Sequence, residues 1–407
     1  MKGLWLILLS WQNFVFAQDW EVRKSIPEAN GKGRWSPVCF AIQNKIYVGG
    51  GYIGNFISKK DLWEYDIETD SWNQKSDLPG SLNRTAAIAF SINEIGYVGL
   101  GAQAYNTIDY TFLKDLWAYN PATDTWMQKA SLPDTARSGS ACFVMDNKAF
   151  VVGGQTGFPQ ATADVWMYDP QTDQWTEKQA YPAGPHYGAM AFSLDNYGYV
   201  ACGMHLKDAV LMNSSQVWRY VPATDTWEQK SDYCDSKGRD NGIAFVLNGK
   251  AVVGLGKAKD SLTTYYFKEF CMYSPEKDVW EPYTDFKAID RAYAIGISVN
   301  NRAFAGAGFL YVNEQNFYND WWELNLNTSL TQKPESNKIV AFPNPTYGKI
   351  SIQGRRYGDK IQIRDIMGTV IIESDSDEFD LSTYTDGVYV VRITNDVDCQ
   401  SFKLIKY

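Results

Sequence analysis

The chain has 407 residues, 45% of them hydrophobic, 15% aromatic and 21% charged. That is material for a large core plus a further domain, and it excludes disorder over most of the length. A net charge of −9 without a long Lys/Arg run excludes the basic footprint of a nucleic-acid or anionic-membrane partner.

The first predicted element is a leader. Lys2, an apolar stretch running through Trp11, Phe14 and Phe16, and Ala17 before Gln18 make residues 1–17 a secretory signal peptide, too short for a stable span. The mature chain is expected to begin near Gln18, without a transmembrane segment. Export permits disulfides. Cys39 and Cys142 hold equivalent repeat positions and are not expected to meet, and Cys202, Cys234, Cys271 and Cys399 are scattered. The set leaves room for one disulfide but not for a framework.

From Trp20 onward a unit of about fifty residues recurs. An inner tryptophan stands at Trp63, Trp117, Trp166, Trp218 and Trp322, with Cys271 in the fifth slot. An outer tryptophan follows the first five slots nine residues later, at Trp72, Trp126, Trp175, Trp227 and Trp280; Thr331 holds the sixth. Residues 137–175 show one unit most clearly: four short strands of alternating character, the second ending in Gly153 and Gly154. Pro121, Pro170, Pro222 and Pro275 preset the turn before the last strand, where the aspartate of each Thr-Asp pair is expected to bond the amides that follow it. Short sheets that cannot bury their faces alone and repeat at a fixed period predict an all-β, six-bladed radial propeller over residues 18–331. The tryptophans are read as packing between blades.

Seven outer-strand candidates compete for six blades. Pro27, Pro79, Pro133 and Pro182 each follow their tryptophan by seven residues, which sets Trp20 in the same pattern. The N-terminal strand is therefore expected to complete the sixth blade and leave no open edge.

The glycine pair, the tyrosine before each outer tryptophan and the spacing resemble the Kelch repeat family over roughly residues 20–331. Departures are Cys271 for tryptophan, Leu324 for tyrosine and the degenerate sixth outer strand.

Residues 332–338 are polar, contain Pro334 and read as a linker. Residues 339–407 alternate apolar and polar over several short strands, which predicts a small immunoglobulin-like β-sandwich. Four ordered landmarks lie there: Pro343, Asn344, Pro345 and Gly348; Asp365 and Gly368; Gly387 and Tyr389; and the closing residues 403–407. They resemble the type A C-terminal sorting domain of the type IX secretion system. The resemblance implies a Bacteroidota-type cell with two membranes, passage through the periplasm, contact with the type IX machinery through residues 339–407, and delivery to the surface or medium. An adhesive sandwich is the alternative.

For function, each unit opens with Arg34, Arg84, Arg137, His186, Arg239 or Arg291, expected as a ring near one mouth of the axis. Guanidinium groups suit carboxylate or polyhydroxyl ligands, whereas a residue present in every unit also reads as a repeat-level device bonding carbonyls of the neighbouring blade. Long, dissimilar loops carry Tyr52, Tyr105, Tyr265 and Tyr311 among other aromatics, which suit the apolar faces of sugars or simply pack the loops down. His186 and His205 lack an evident third ligand, so no metal is expected, and no cofactor. Asp240 and Asp290 stand beside arginines and read as solvated turn carboxylates paired with those neighbours, with acid or base work as the alternative. The leading expectation is a non-enzymatic binder of a glycan or protein through the loop face. The alternatives are a carbohydrate-active enzyme resembling the sialic-acid mutarotase or epimerase Kelch propellers, and an envelope structural protein.

Overall fold

Strands alternate along this chain because apolar residues recur at every second position between turn residues, and a computed structural model shows where they pair. It describes residues 18–28, 33–54, 57–80, 83–104, 110–207, 210–260, 263–311, 315–326, 340–342, 346, 348–353, 360–365, 368–374, 376, 378–394 and 399–406. The leader, the linker, Tyr105 and the Pro343, Asn344 and Pro345 landmark lie outside the described residues. Regular structure among the described residues is entirely strand, in two compact units, one of them Gln18–Leu326 and the other containing Asn327–Tyr407.

In the larger unit six sheets have a four-stranded antiparallel core. The first is built from Val38–Ile42, Lys45–Gly49, Leu62–Asp66 and Ser71–Lys75, paired in that order. Burial follows rank. First strands bury alternate residues, second strands bury nearly all of theirs, and fourth strands face water on one side. A second strand such as residues 148–154 must therefore be apolar on both faces. The first strands neighbour one another in a closed cycle: Val38–Ile42 lies beside Ile88–Ile92 and also beside Ile295–Val299 of the last sheet.

The cycle closes where the sequence places it. Gln18–Arg23 pairs with Trp321–Leu326, setting Trp20 opposite Leu324 as Trp72 is set opposite Tyr65. Trp20 is 1% exposed and packs edge-on against Phe286, ring centres 5.0 Å apart. Sheet-to-sheet packing also depends on missing side chains. A Cβ at Gly198 would lie 2.0 Å from the Phe143 ring of the preceding sheet, and one at Gly96 2.2 Å from Phe40.

At the periphery five of the six sheets are clasped to their predecessor. Asp173 accepts from the Tyr168 hydroxyl at 2.7 Å and from the Ala130 amide at 2.9 Å, while the Trp175 indole donates to the Ala130 carbonyl at 2.7 Å. Asp70, Asp124, Asp225 and Asp278 repeat the clasp. This corrects the expectation that the Thr-Asp aspartates cap their own turns. That role falls to the residue ending the third strand: Asp66 accepts from the amides of Glu68 and Thr69.

The single disulfide among the described residues joins Cys234 to Cys271 and closes a loop with a sequence separation of 37. Such a link contributes about 2–4 kcal/mol.

The smaller unit has one three-stranded and one four-stranded antiparallel sheet. Ile350 and Ile352 from the first share a core with Ile361, Ile363, Tyr389 and Val391 from the second. Gly348, Asp365, Gly368 and Gly387 fall at turns or strand ends and Tyr389 inside the strand Gly387–Thr394: the Asp365 side chain accepts from the Thr369 amide, and the Tyr389 hydroxyl donates to the Thr385 carbonyl.

Candidate functional site at the axial mouth

The residues that open each repeat are fasteners. Arg34, Arg84, Arg137, His186, Arg239 and Arg291 are all at most 2% exposed. Arg84 donates to both carboxylate oxygens of Asp115, at 3.0 and 2.7 Å, and to the Leu100 carbonyl at 3.2 Å. Asp115 also accepts from the Trp117 indole at 2.7 Å. The same arginine–aspartate–tryptophan triad recurs at Arg34, Arg137 and Arg291 with Asp61, Asp164 and Asp320. Of the two roles expected for the recurrent guanidinium groups, ligand ring and repeat-level device, these contacts fit the device. The guanidinium groups are spent inside their own sheets, and it is the arginines' backbone carbonyls that reach a neighbour, as when Gly51 donates to the Arg84 carbonyl.

His186 breaks the triad together with its partner, since Gln216 replaces the aspartate and Tyr181 fills the freed space, its ring 4.3 Å from the imidazole. Burial, with His205 beside it, pulls the His186 imidazole down to about 3. The two histidines face each other in register, ring centres 5.5 Å apart, and among the described residues no group of three or more His, Cys, Asp or Glu could hold a metal ion.

Just beyond the fasteners the chain turns inward through residues 36, 86, 139, 188, 241 and 293. Each amide donates to the carbonyl of the residue before it around the axis, at 2.7–3.2 Å, and Ser36 closes the ring onto Tyr293. All six have φ between 45° and 66°. Glycine adopts that region freely, but a tyrosine rarely does, so Tyr293 at φ 58° is backbone strain held at the axis. The ring encloses a cavity of about 140 Å³ lined by small residues such as Ala87, Ser140 and Ala189.

Around that cavity the six repeats stop being alike. The residue after each fastener bridges the residue after the glycine pair: Trp35 to Tyr52, Thr85 to Ala102, Ser138 to Gln155, Tyr187 to Met204, Asp240 to Lys257 and Ala292 to Phe309. One arc is aromatic. Trp35 meets Tyr52, Tyr293 and Phe309 with ring centres 5.5, 4.4 and 5.3 Å away. Beside it the arc is charged. Asp240, fully buried, accepts from Lys257 at 2.9 Å and from the amides of Asn213 at 2.7 Å and Asn241 at 2.5 Å. Asp240 therefore pairs with Lys257, its neighbour across a local β-bridge, which corrects the reading of a solvated carboxylate bound to Arg239. Burial pulls the Lys257 ammonium down, but Tyr293 and Asp240 outweigh it and its pKa is raised. Burial likewise pushes the Tyr293 phenol up to about 12, so it is a neutral donor at physiological pH. Tyr293 joins the two arcs, its ring centre 5.7 Å from the Lys257 ammonium.

Of the aromatic residues expected in a binding face, Tyr52 belongs to this wall, Tyr265 lies away from it under Lys237 and donates to Asp260, and Tyr311 is 55% exposed. Trp35, Tyr293, Lys257 and Asn213 were not anticipated. The signal available for Trp35 and Lys257 was variability: in repeats otherwise alike, those positions never hold the same residue twice.

Comparison with known proteins defines the class. Residues 7–154 match the KLHDC2/KLHL20/DRC7 Kelch-repeats domain, residues 136–179 the Kelch motif, and residues 340–407 the secretion system C-terminal sorting domain. The chain thus carries Kelch repeats followed by a type IX sorting domain, which implies export, contact with that machinery and a surface or secreted location.

Among individual proteins, it is similar to the N-acetylneuraminate epimerase of Pasteurella multocida (strain Pm70), 25% identical over 176 residues, 35% of this chain and 46% of that protein. The N-acetylneuraminate epimerase of Shigella sonnei (strain Ss046) is 29% identical over 118 residues, 28% of this chain and 30% of that protein. Kelch repeat and BTB domain-containing protein 2 of Homo sapiens is 25% identical over 122 residues, 30% of this chain and 17% of that protein. The chain spans less than half the length of these curated relatives. A solved structure titled "Structure of YjhT" superposes with a TM-score of 0.63 at 17% identity, covering 74% of this chain and 96% of that one; at this identity the likeness concerns the fold.

Proposed function

We propose that the exported chain is a six-bladed Kelch propeller that binds a carbohydrate at its axial mouth, and that an immunoglobulin-like sandwich carries its sorting signal. The observation behind this reading is the asymmetry of the mouth: Trp35, Tyr52, Tyr293 and Phe309 on one arc, Asp240, Lys257 and Asn213 on the next. A sugar ring stacks its C–H face on aromatic surface while its hydroxyls take polar partners, and such a mouth offers both within one ring's reach. The Asp240 carboxylate is saturated by donors, which favours a fixed recognition element over a group that shuttles protons.

A second reading is a sugar mutarotase or epimerase, favoured by the similarity to N-acetylneuraminate epimerases. One experiment separates the two. The chain from Gln18 onward is titrated calorimetrically with neutral, acidic and N-acetylated sugars, and each sugar that binds is followed by NMR for anomer or epimer exchange. Saturable binding that weakens tenfold or more in Trp35→Ala, without accelerated exchange, supports the binder. Accelerated exchange lost in Asp240→Asn supports the enzyme. Absence of binding by every sugar overturns both and leaves an envelope component or a protein partner.

A further inference from the structure

Arg239 is the one repeat arginine without its carboxylate fastener. Its slot partner is Glu269, whose side chain turns away so that only its backbone carbonyl accepts from Arg239, at 3.3 Å. Among the described residues Asp235 is its sole ionic partner, through a single contact of 3.3 Å. Arg239 is 2% exposed, and its Nε is buried without a partner. The triad's third member is absent too, because Cys271 stands where the other sheets carry the inner tryptophan, opposite Val253 as Trp63 is opposite Val48. Where those groups are missing there is a cavity of about 550 Å³, lined by Arg239, Phe267, Phe270, Tyr283, Glu269 and the Cys234–Cys271 disulfide among others. Arg239 lies 4.3 Å from the Phe267 ring centre, so aromatic surface and guanidinium border the same space.

We propose that this cavity is a binding site for a free aromatic α-amino acid. In the sheets that keep the triad, one aspartate carboxylate takes two guanidinium hydrogens and an indole lies beside it, its N–H at 2.7–2.9 Å. An aromatic amino acid carries both missing parts in one molecule: a carboxylate for Arg239 and a ring for the vacated indole space. Its ammonium answers the remaining charge, since Asp235, Glu269 and Asp285 all border the cavity. A plain aromatic anion would bring no cation to those carboxylates, of which Asp285 already pairs with Lys268 at 3.3 Å and Asp235 with Arg239. The site is separate from the axial mouth and does not rest on the carbohydrate reading.

The test is calorimetric titration of the chain from Gln18 onward, with L-tryptophan, L-tyrosine and L-phenylalanine beside L-tryptophan amide and N-acetyl-L-tryptophan. The expected result is saturable binding of the free amino acids and at least tenfold weaker binding of both blocked forms. Glu269→Asp, which restores the repeat's own fastener to Arg239, should weaken tryptophan tenfold or more without lowering the melting temperature. Should that variant fold poorly, the triple change Cys234→Pro, Glu269→Asp and Cys271→Trp, which rebuilds the repeat consensus, carries the same expectation. Equal affinity for tryptophan and its amide, unchanged affinity in the folded variant, or no binding by any amino acid overturns the proposal.

Discussion

At the residue scale, buried ionic groups set how this protein responds to acid. Burial alone would raise the Asp124, Asp173, Asp225 and Asp278 carboxyls, yet amide donors of the neighbouring sheet and the tyrosine hydroxyls outweigh it and hold them below the usual range. Asp164 is held down to about 2, burial again being outweighed, chiefly by Arg137. A depressed carboxyl adds stability that is present above its unfolded value near 4 and lost as pH falls through the folded one, so the clasps at Asp124, Asp173, Asp225 and Asp278 should weaken as pH drops below about 4, and the Arg137–Asp164 pair should hold until about pH 2. His186 acts earlier. Its folded value of about 3 lies below the unfolded 6.5, so below that pH the unfolded chain takes a proton the folded chain refuses. Stability should fall by up to about 1.4 kcal/mol per pH unit below pH 6.5 from this residue alone. Urea unfolding at pH 7.5, 6, 5 and 4 measures the slope. His186→Phe should reduce it; the slope that remains between pH 6 and 5 includes His205, whose imidazole burial also depresses, while below pH 5 the depressed carboxyls add to it. An unchanged slope would refute the assignment.

At the element scale, the N-terminal strand decides whether the cycle of sheets is closed. It was legible in the sequence because Trp20 and Pro27 repeat the outer-strand spacing, and its register opposite Trp321–Leu326 agrees. Trp20→Ala should cost about 3–5 kcal/mol in urea unfolding, as truncation of a fully buried indole does. A loss under 1 kcal/mol would mean that the strand is an ornament on an otherwise stable ring. The mouth was much less legible. Trp35, Lys257 and Tyr293 come from three different repeats, up to 258 positions apart in sequence (293 − 35), and periodicity within a repeat says nothing about which ends meet across an axis. The arginines were half legible for the complementary reason: their recurrence was plain and admitted a repeat-level device as well as a ligand site, but whether a recurrent guanidinium faces solvent or a buried aspartate depends on a partner 27 to 31 residues away.

At the scale of the whole molecule, the two units divide the work between an address and a cargo. The landmarks at Gly348, Asp365, Gly368 and Gly387 fall at turns or strand ends of the unit that matches the sorting-domain family over residues 340–407. Fused to a periplasmically exported reporter in a cell that has the type IX machinery, residues 332–407 should carry the reporter to the surface or medium, as cell fractionation would show. Retention in the periplasm would sink the sorting role.

The sequence by itself determined the repeat, the four strands of each unit, the closure by Trp20 and the sorting landmarks, because each is written in local spacing and alternation. Tertiary structure alone decided that the arginines are fasteners, that Cys234 meets Cys271, and that Asp240, Lys257, Tyr293 and Trp35 share one mouth. Those are pairings between distant segments, and their energies exist only once burial has brought the partners together and excluded water.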